Sequence, residues 1–302
     1  MMQGLQLSAE QADERIIYSS YESGNWEIWT MKPSGSDQKQ ITNALWDEKA
    51  PALSANGRQL TYANNKGEIW LAGGDGSNAR ALPLPKGFNS HPCWTPDGGK
   101  IVFSSRPSPL EERVFLYFIE LSKVGKTAAI RLLEMPGVAM FPDCSPDGRQ
   151  IVFSYFEIKK EEMKLPRPPV VEELFVLDIP TGKVRQLTTL KKNSNDPCYS
   201  PDGKLILFSS NAAGSYDLWI VGADGANPKP TPLTSDPGFE GAPCWSPDGS
   251  RIAFAASRTG NLEIWTMDRQ GKEWRQLTHS RQGRDSTEPS WRKIKVKENS
   301  VK

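Results

Sequence analysis

Short apolar runs recur along the chain, each four to six residues long and bounded by Gly, Pro, Asn or Asp. One set reads "KIVFSS" (100–105), "QIVFSY" (150–155), "LILFSS" (205–210) and "RIAFAA" (251–256). A second set reads "EIWTM" (27–31), "EIWLA" (68–72), "DLWIV" (217–221) and "EIWTM" (263–267). A third is shorter and ends near Leu-Thr: "QIT" (40–42), "RQLT" (185–188), "PLT" (232–234) and "RQLT" (275–278). These runs are rich in β-branched and aromatic residues, and none carries a sustained 3.6-residue period. The pattern predicts strands.

A fourth element precedes each set. The string "PCWSPDG" at Pro243 has relatives at Pro92 ("PCWTPDG"), Pro142 ("PDCSPDG") and Pro197 ("PCYSPDG"). A degenerate copy, "PALSANG", starts at Pro51, and a truncated one, "PSWRK", at Pro289. The spacings of these prolines are 41, 50, 55, 46 and 46 residues, the range of propellers and solenoids. Four strands per unit make a propeller blade. The second strands place an aromatic at one position (Tyr18, Tyr62, Phe103, Phe153, Phe208, Phe254), and the third strands do the same (Trp29, Trp70, Tyr117, Phe175, Trp219, Trp265). Such rings suit the wedge between neighbouring sheets. The chain opens on a second strand (14–20) and closes on a lone first strand (288–291), so the last strand is expected to complete the first blade. The expectation is all-β: a six-bladed β-propeller over residues 14–292, an N-terminal extension over 1–13 and a basic tail over 293–302.

Asp-Gly, four times over, also suits a metal loop. A calcium loop needs several oxygen ligands at alternating positions, whereas each string offers one Asp between two strands. Pro presets the second turn position and Gly takes the positive φ that ends it, so the string is expected to be a hairpin turn.

Composition narrows function by exclusion. A net charge of +1 gives no electrostatic footprint for nucleic acid. No apolar run is long enough to span a membrane. The first residues have neither the basic start nor the apolar stretch of a leader, which predicts a cytoplasmic protein, or a periplasmic one if a leader has been removed. Two histidines, His91 and His279, leave little for histidine-rich metal sites. Cys93, Cys144, Cys198 and Cys244 fall one per repeated string. They are expected at equivalent places, too far apart to bridge, as small buried thiols.

The stretch "PCWSPDGSRIAFAASRTGNLEIWTMDRQGKEWRQLT" (243–278) resembles the repeat of TolB-like propellers, which also occurs in propellers attached to prolyl-oligopeptidase-like hydrolases and the tricorn protease. The resemblance extends over about residues 14 to 292. It implies a periplasmic, non-catalytic protein-binding propeller; TolB docks a peptidoglycan-associated lipoprotein and a short colicin-type peptide. The chain departs from TolB in showing no α/β domain and no leader before its first strand.

In a propeller, the loops after the second and fourth strands open on one face. Those loops here carry Trp26, Trp46, Glu48, Phe88, His91, Asp196, Phe239, Glu240 and Glu288, expected to ring the mouth of the central channel. Aromatics beside carboxylates suit a protein or peptide ligand, basic or amide-rich, held by a monomeric scaffold, with a cell-envelope partner among the candidates. Two insertions, 106–113 and the Pro-rich 156–173, enlarge the same face. Glu48, Asp196, Glu240 and Glu288 come from four blades and would suit one calcium ion if they converged, but a ring of hydrated acids with some pairing to Lys49, Lys192 and Arg284 is the favoured expectation; no cofactor is expected. The alternative is a metal-dependent hydrolase or lyase with acids at the channel mouth. No Gly-x-Ser-x-Gly elbow occurs, and only His91 is available as a base near the mouth, so an enzyme is the lesser expectation.

Overall fold

Tyr18 lies directly across from Trp29 on the neighbouring strand, and the same register pairs Tyr62 with Trp70 and Phe103 with Tyr117. Phe153 pairs with Phe175, Phe208 with Trp219 and Phe254 with Trp265. In the computed structural model, which describes residues 13–126, 128–157, 170–224 and 229–294, these pairs mark six four-stranded antiparallel sheets. Each sheet is a blade of a six-bladed β-propeller. The second-strand aromatics are at most 2% exposed.

Six apolar clusters fill the six seams between blades. One joins Ile69 and Leu71 of the second blade to Trp94 and Phe103 of the third. Another joins Ile252 and Phe254 of the sixth to Leu207 and Leu218 of the fifth. Burial therefore glues blade to blade, and among the described residues each apolar cluster draws on two neighbouring blades. The ring closes as the sequence predicts: Ser286–Ile294 pairs with Asp13–Ser20, and Trp291 packs with Tyr18. Pairing the two ends covers the edge of Asp13–Ser20 that would otherwise be open.

The repeated string is a turn. In the fourth blade Asp147 Oδ1 accepts from Ser145 Oγ (2.6 Å) and from the Arg149 N–H (3.0 Å), while Ser145 Oγ accepts from the Gln150 N–H (2.9 Å). The fifth and sixth blades repeat this with Ser200, Asp202, Ser246 and Asp248. The carboxylate is consumed inside the turn, and the hydroxyl bond holds Asp147, Asp202 and Asp248 below the usual carboxylate range. Gly148, Gly203 and Gly249 follow at φ near 70°.

The cysteines depart from expectation. Cys93, Cys198 and Cys244 follow their prolines directly, but the copy in the fourth blade reads Pro-Asp-Cys, which puts Cys144 one residue later. A one-residue shift turns a side chain to the other face of its sheet. Cys144 Sγ consequently lies 3.7 Å from Cys93 Sγ of the preceding blade, not remote from it. The Pro-rich insertion lies mostly outside the described residues, as does the tail beyond Ile294.

Candidate functional site

The first strand of every blade carries a bulge. Just before its proline, one residue takes a left-handed conformation: Ala50 (φ 53°), His91 (50°), Phe141 (52°), Asp196 (49°), Ala242 (48°) and Glu288 (54°). The register against the second strand shifts at each of these places. An extra residue in one strand bends it and re-aims a side chain. Left-handed φ on a residue with a Cβ costs on the order of 1–3 kcal/mol, so the surroundings must hold it. All six residues line a central channel of about 570 Å³.

The surroundings are visible at two of these bulges. Glu288 Oε2 accepts from the Ala50 N–H at 2.8 Å and from Ser19 Oγ at 2.7 Å. Asp196 likewise accepts from the Ala242 N–H of the next blade. Each long acid leans on an alanine one blade further round. His91 leans the same way on Phe141, with ring centroids 4.2 Å apart.

Burial in the channel wall sets the charges. It pushes the Asp196 carboxyl up to about 7, helped by the negative charge of Glu288. It pushes His91 down to about 4, so the imidazole is neutral near pH 7, with Nδ1 3.0 Å from Ser90 Oγ. The opposite end of the channel is cationic. There the truncated repeat places Arg292 and Lys293 where other copies have Ser-Pro, Thr-Pro or Ser-Ala. The channel thus runs from acids at the loop face to bases at the turn face. Both cations sit in the sequence string "PSWRK", so the truncation itself was the signal; sequence reasoning assigned Lys293 to the tail and left Arg292 without a role.

The rim is part aromatic, part aliphatic. Trp26 packs edge-on to Tyr21 (5.6 Å) with Lys49 Nζ 3.9 Å from its ring centroid. Trp46 rests on Trp70 (6.4 Å) under Lys66 Nζ (3.7 Å). Both tryptophans are half-buried, and the Trp46 indole N–H faces the Glu48 carboxylate. Their neighbour Leu45, not singled out from sequence, is 98% exposed. Phe88 is 42% exposed, and Phe239 packs on Tyr216 at 5.7 Å.

Two of the sequence-selected acids are elsewhere. Glu48 is 3% exposed and Glu240 is fully buried, each in a seam beside a carboxylate of the preceding blade, Glu27 and Asp217 respectively. They start their first strands, where the side chain alternation turns them into the seam. Thr42 donates to Glu27 at 2.6 Å, and Thr234 to Glu240 at 3.2 Å. The four acids therefore do not converge, and among the described residues no three His, Cys, Asp or Glu side chains are grouped to hold a metal ion. Lys49 and Arg284 sit over aromatic rings, of Trp26 and Tyr21.

A closed ring of six four-stranded blades with this turn chemistry is a six-bladed β-propeller of the TolB-like fold. The chain is 27% identical over 218 residues to the Tol-Pal system protein TolB of Francisella tularensis, covering 70% of this chain and 47% of that protein. It is 25% identical over 218 residues to the uncharacterized peptidase YuxL of Bacillus subtilis, covering 67% of this chain and 28% of that protein. The TolB structure from Acinetobacter baumannii superposes with a TM-score of 0.72 at 18% identity, over 93% of this chain and 67% of that one. The chain thus spans less than half the length of either of these two curated relatives. No family model matches it. Among the described residues no helix is long and apolar enough to cross a membrane.

Proposed function

We propose that the loop face is a docking platform for a protein or peptide, which presents a cationic or amide-bearing side chain to the channel mouth. The observation that carries this reading is the pair Asp196 and Glu288, held by bulges at the loop end of the channel beside an apolar rim. Strained backbone concentrates where function needs a fixed side chain. Leu45 and Phe88 supply exposed apolar surface, which suits contact with a partner. The likeness to a Tol-Pal system protein supports a protein ligand in the cell envelope. On this reading residues 14–292 work as one unit, and a single closed ring suffices.

Fluorescence anisotropy with labelled peptide pools tests it. Pools centred on Lys, Arg or Gln are expected to bind, with salt weakening the first two, and a Glu pool is not. Asp196→Asn is expected to weaken the Lys and Arg pools about tenfold, near 1.4 kcal/mol. Equal binding of the Glu pool, or no effect of Asp196→Asn, rejects the reading.

A further inference from the structure

We infer that Cys93 and Cys144 form an oxidisable dithiol, and that oxidation joins the third and fourth blades by a disulfide. In each seam the residue after the proline of one blade meets the following motif position in the next blade. Ala52 O accepts from Trp94 Nε1 at 2.9 Å. Asp143 Oδ2 accepts from the Tyr199 N–H at 2.8 Å. Ser290 Oγ meets the Leu53 N–H at 3.4 Å. Cys198 and Cys244 meet the backbone of Trp245 and Trp291 in the same way. Five seams thus pair a small or acidic residue with Leu, Trp or Tyr.

The seam between the third and fourth blades alone sets sulfur against sulfur. Cys93 holds the first position, and the displaced Cys144 holds the second. Their Sγ atoms are 3.7 Å apart, against about 2.05 Å in a disulfide, so closure needs a shift of under 2 Å. Rotation about one Cα–Cβ bond moves a sulfur that far. Both residues are 8% exposed and line the channel, which gives a small oxidant its path.

The co-reactant is a low-molecular-weight disulfide. One protein thiolate attacks it, forming a mixed disulfide and releasing one small thiolate. The second protein thiolate then attacks the mixed disulfide and releases the other. Two protein thiols are oxidised, one small disulfide is reduced, and the two protons end on the two small thiols. The hydrogen bond to Cys144, then burial, raises the Cys93 thiol well above its usual range, so the exchange is slow.

The test uses the whole chain and oxidised glutathione at mildly alkaline pH over hours, with a dithiothreitol-treated control. Both samples are denatured, alkylated, digested and mapped by mass spectrometry. We expect Cys93 and Cys144 to be protected together, in one linked peptide pair that reduction separates, while Cys198 and Cys244 are alkylated. A Cys198→Ser/Cys244→Ser variant should keep the link, and Cys144→Ser should lose it. Four alkylated cysteines after oxidation overturn the inference. So does a link through Cys198 or Cys244, or glutathione retained on Cys93 with Cys144 free. The wild-type map decides the matter even where a variant fails to fold.

Discussion

Asp143 Oδ2 accepts a 2.8 Å hydrogen bond from the backbone N–H of Tyr199, one blade further round the ring. The bond satisfies a backbone donor in a seam, where an unpaired N–H is costly. Asp143→Ala removes the acceptor and is expected to destabilise the fold by about 1–3 kcal/mol. Asp143→Asn keeps an acceptor oxygen and should cost less. Urea unfolding midpoints of the three proteins compare them; equal midpoints for Ala and wild type mean that the bond contributes nothing.

Acid groups in the seams and channel predict a fall in stability with rising pH. Burial raises Glu48, Glu240 and Asp196 to about 7 and Asp143 to about 6. Between the unfolded value near 4 and these folded values, the folded state holds protons that the unfolded chain releases. Stability from these groups is therefore present at low pH, falls through that window and levels off above about pH 7. His91, lowered to about 4, works in the opposite direction below about pH 6.5, one group against four. The protein is expected to be more stable at about pH 5.5 than at about pH 8, and Glu48→Gln/Glu240→Gln should flatten the profile. A wild-type profile already flat over that range contradicts the burial argument.

Trp291 is the clasp of the ring. It is 3% exposed, packs against Tyr18 and donates from Nε1 to Glu14 Oε2 at 3.0 Å. Trp291→Ala is expected to cost about 3–5 kcal/mol. Hydrogen exchange should rise first in Asp13–Ser20 and Ser286–Ile294. Uniform loss of protection across all six blades is the contrary result.

Leu45 and Trp46 separate binding from folding. Leu45 is 98% exposed, so Leu45→Ser should leave Tm unchanged while weakening peptide binding. Trp46 rests on Trp70, so Trp46→Ala should lower Tm and also weaken binding, by about 1–3 kcal/mol if its ring is an anchor. A Leu45→Ser protein that binds like wild type removes Leu45 from the platform.

What the sequence made legible was whatever repeats. The paired aromatics occur once per blade and the Ser/Thr-Pro-Asp-Gly turn in four of the six, and alignment of the copies with one another exposes them. The closing strand was legible because "EPSW" stands as a first strand without a second. The left-handed residues before the prolines were not, because Ala50, His91, Phe141, Asp196, Ala242 and Glu288 share a conformation and no chemistry. Glu48 and Glu240 were misplaced because loop and strand start one residue apart there, and one residue decides between solvent and seam. Cys144 was misread for the same reason: its displacement by one position is small in the string and reverses the side chain.

The closing strand also has a consequence for the order of events at the ribosome. Asp13 pairs with Ile294 and Ser20 with Ser286, so the first blade to be synthesised waits for the end of the propeller before it is whole. Until then its strands carry an unfilled place at the ring's inner wall. Any strand of matching pattern that arrives early competes for that place, including the same segment of a neighbouring nascent chain. The seam that completes the ring is thus the point at which this protein is exposed to exchange with its own copies.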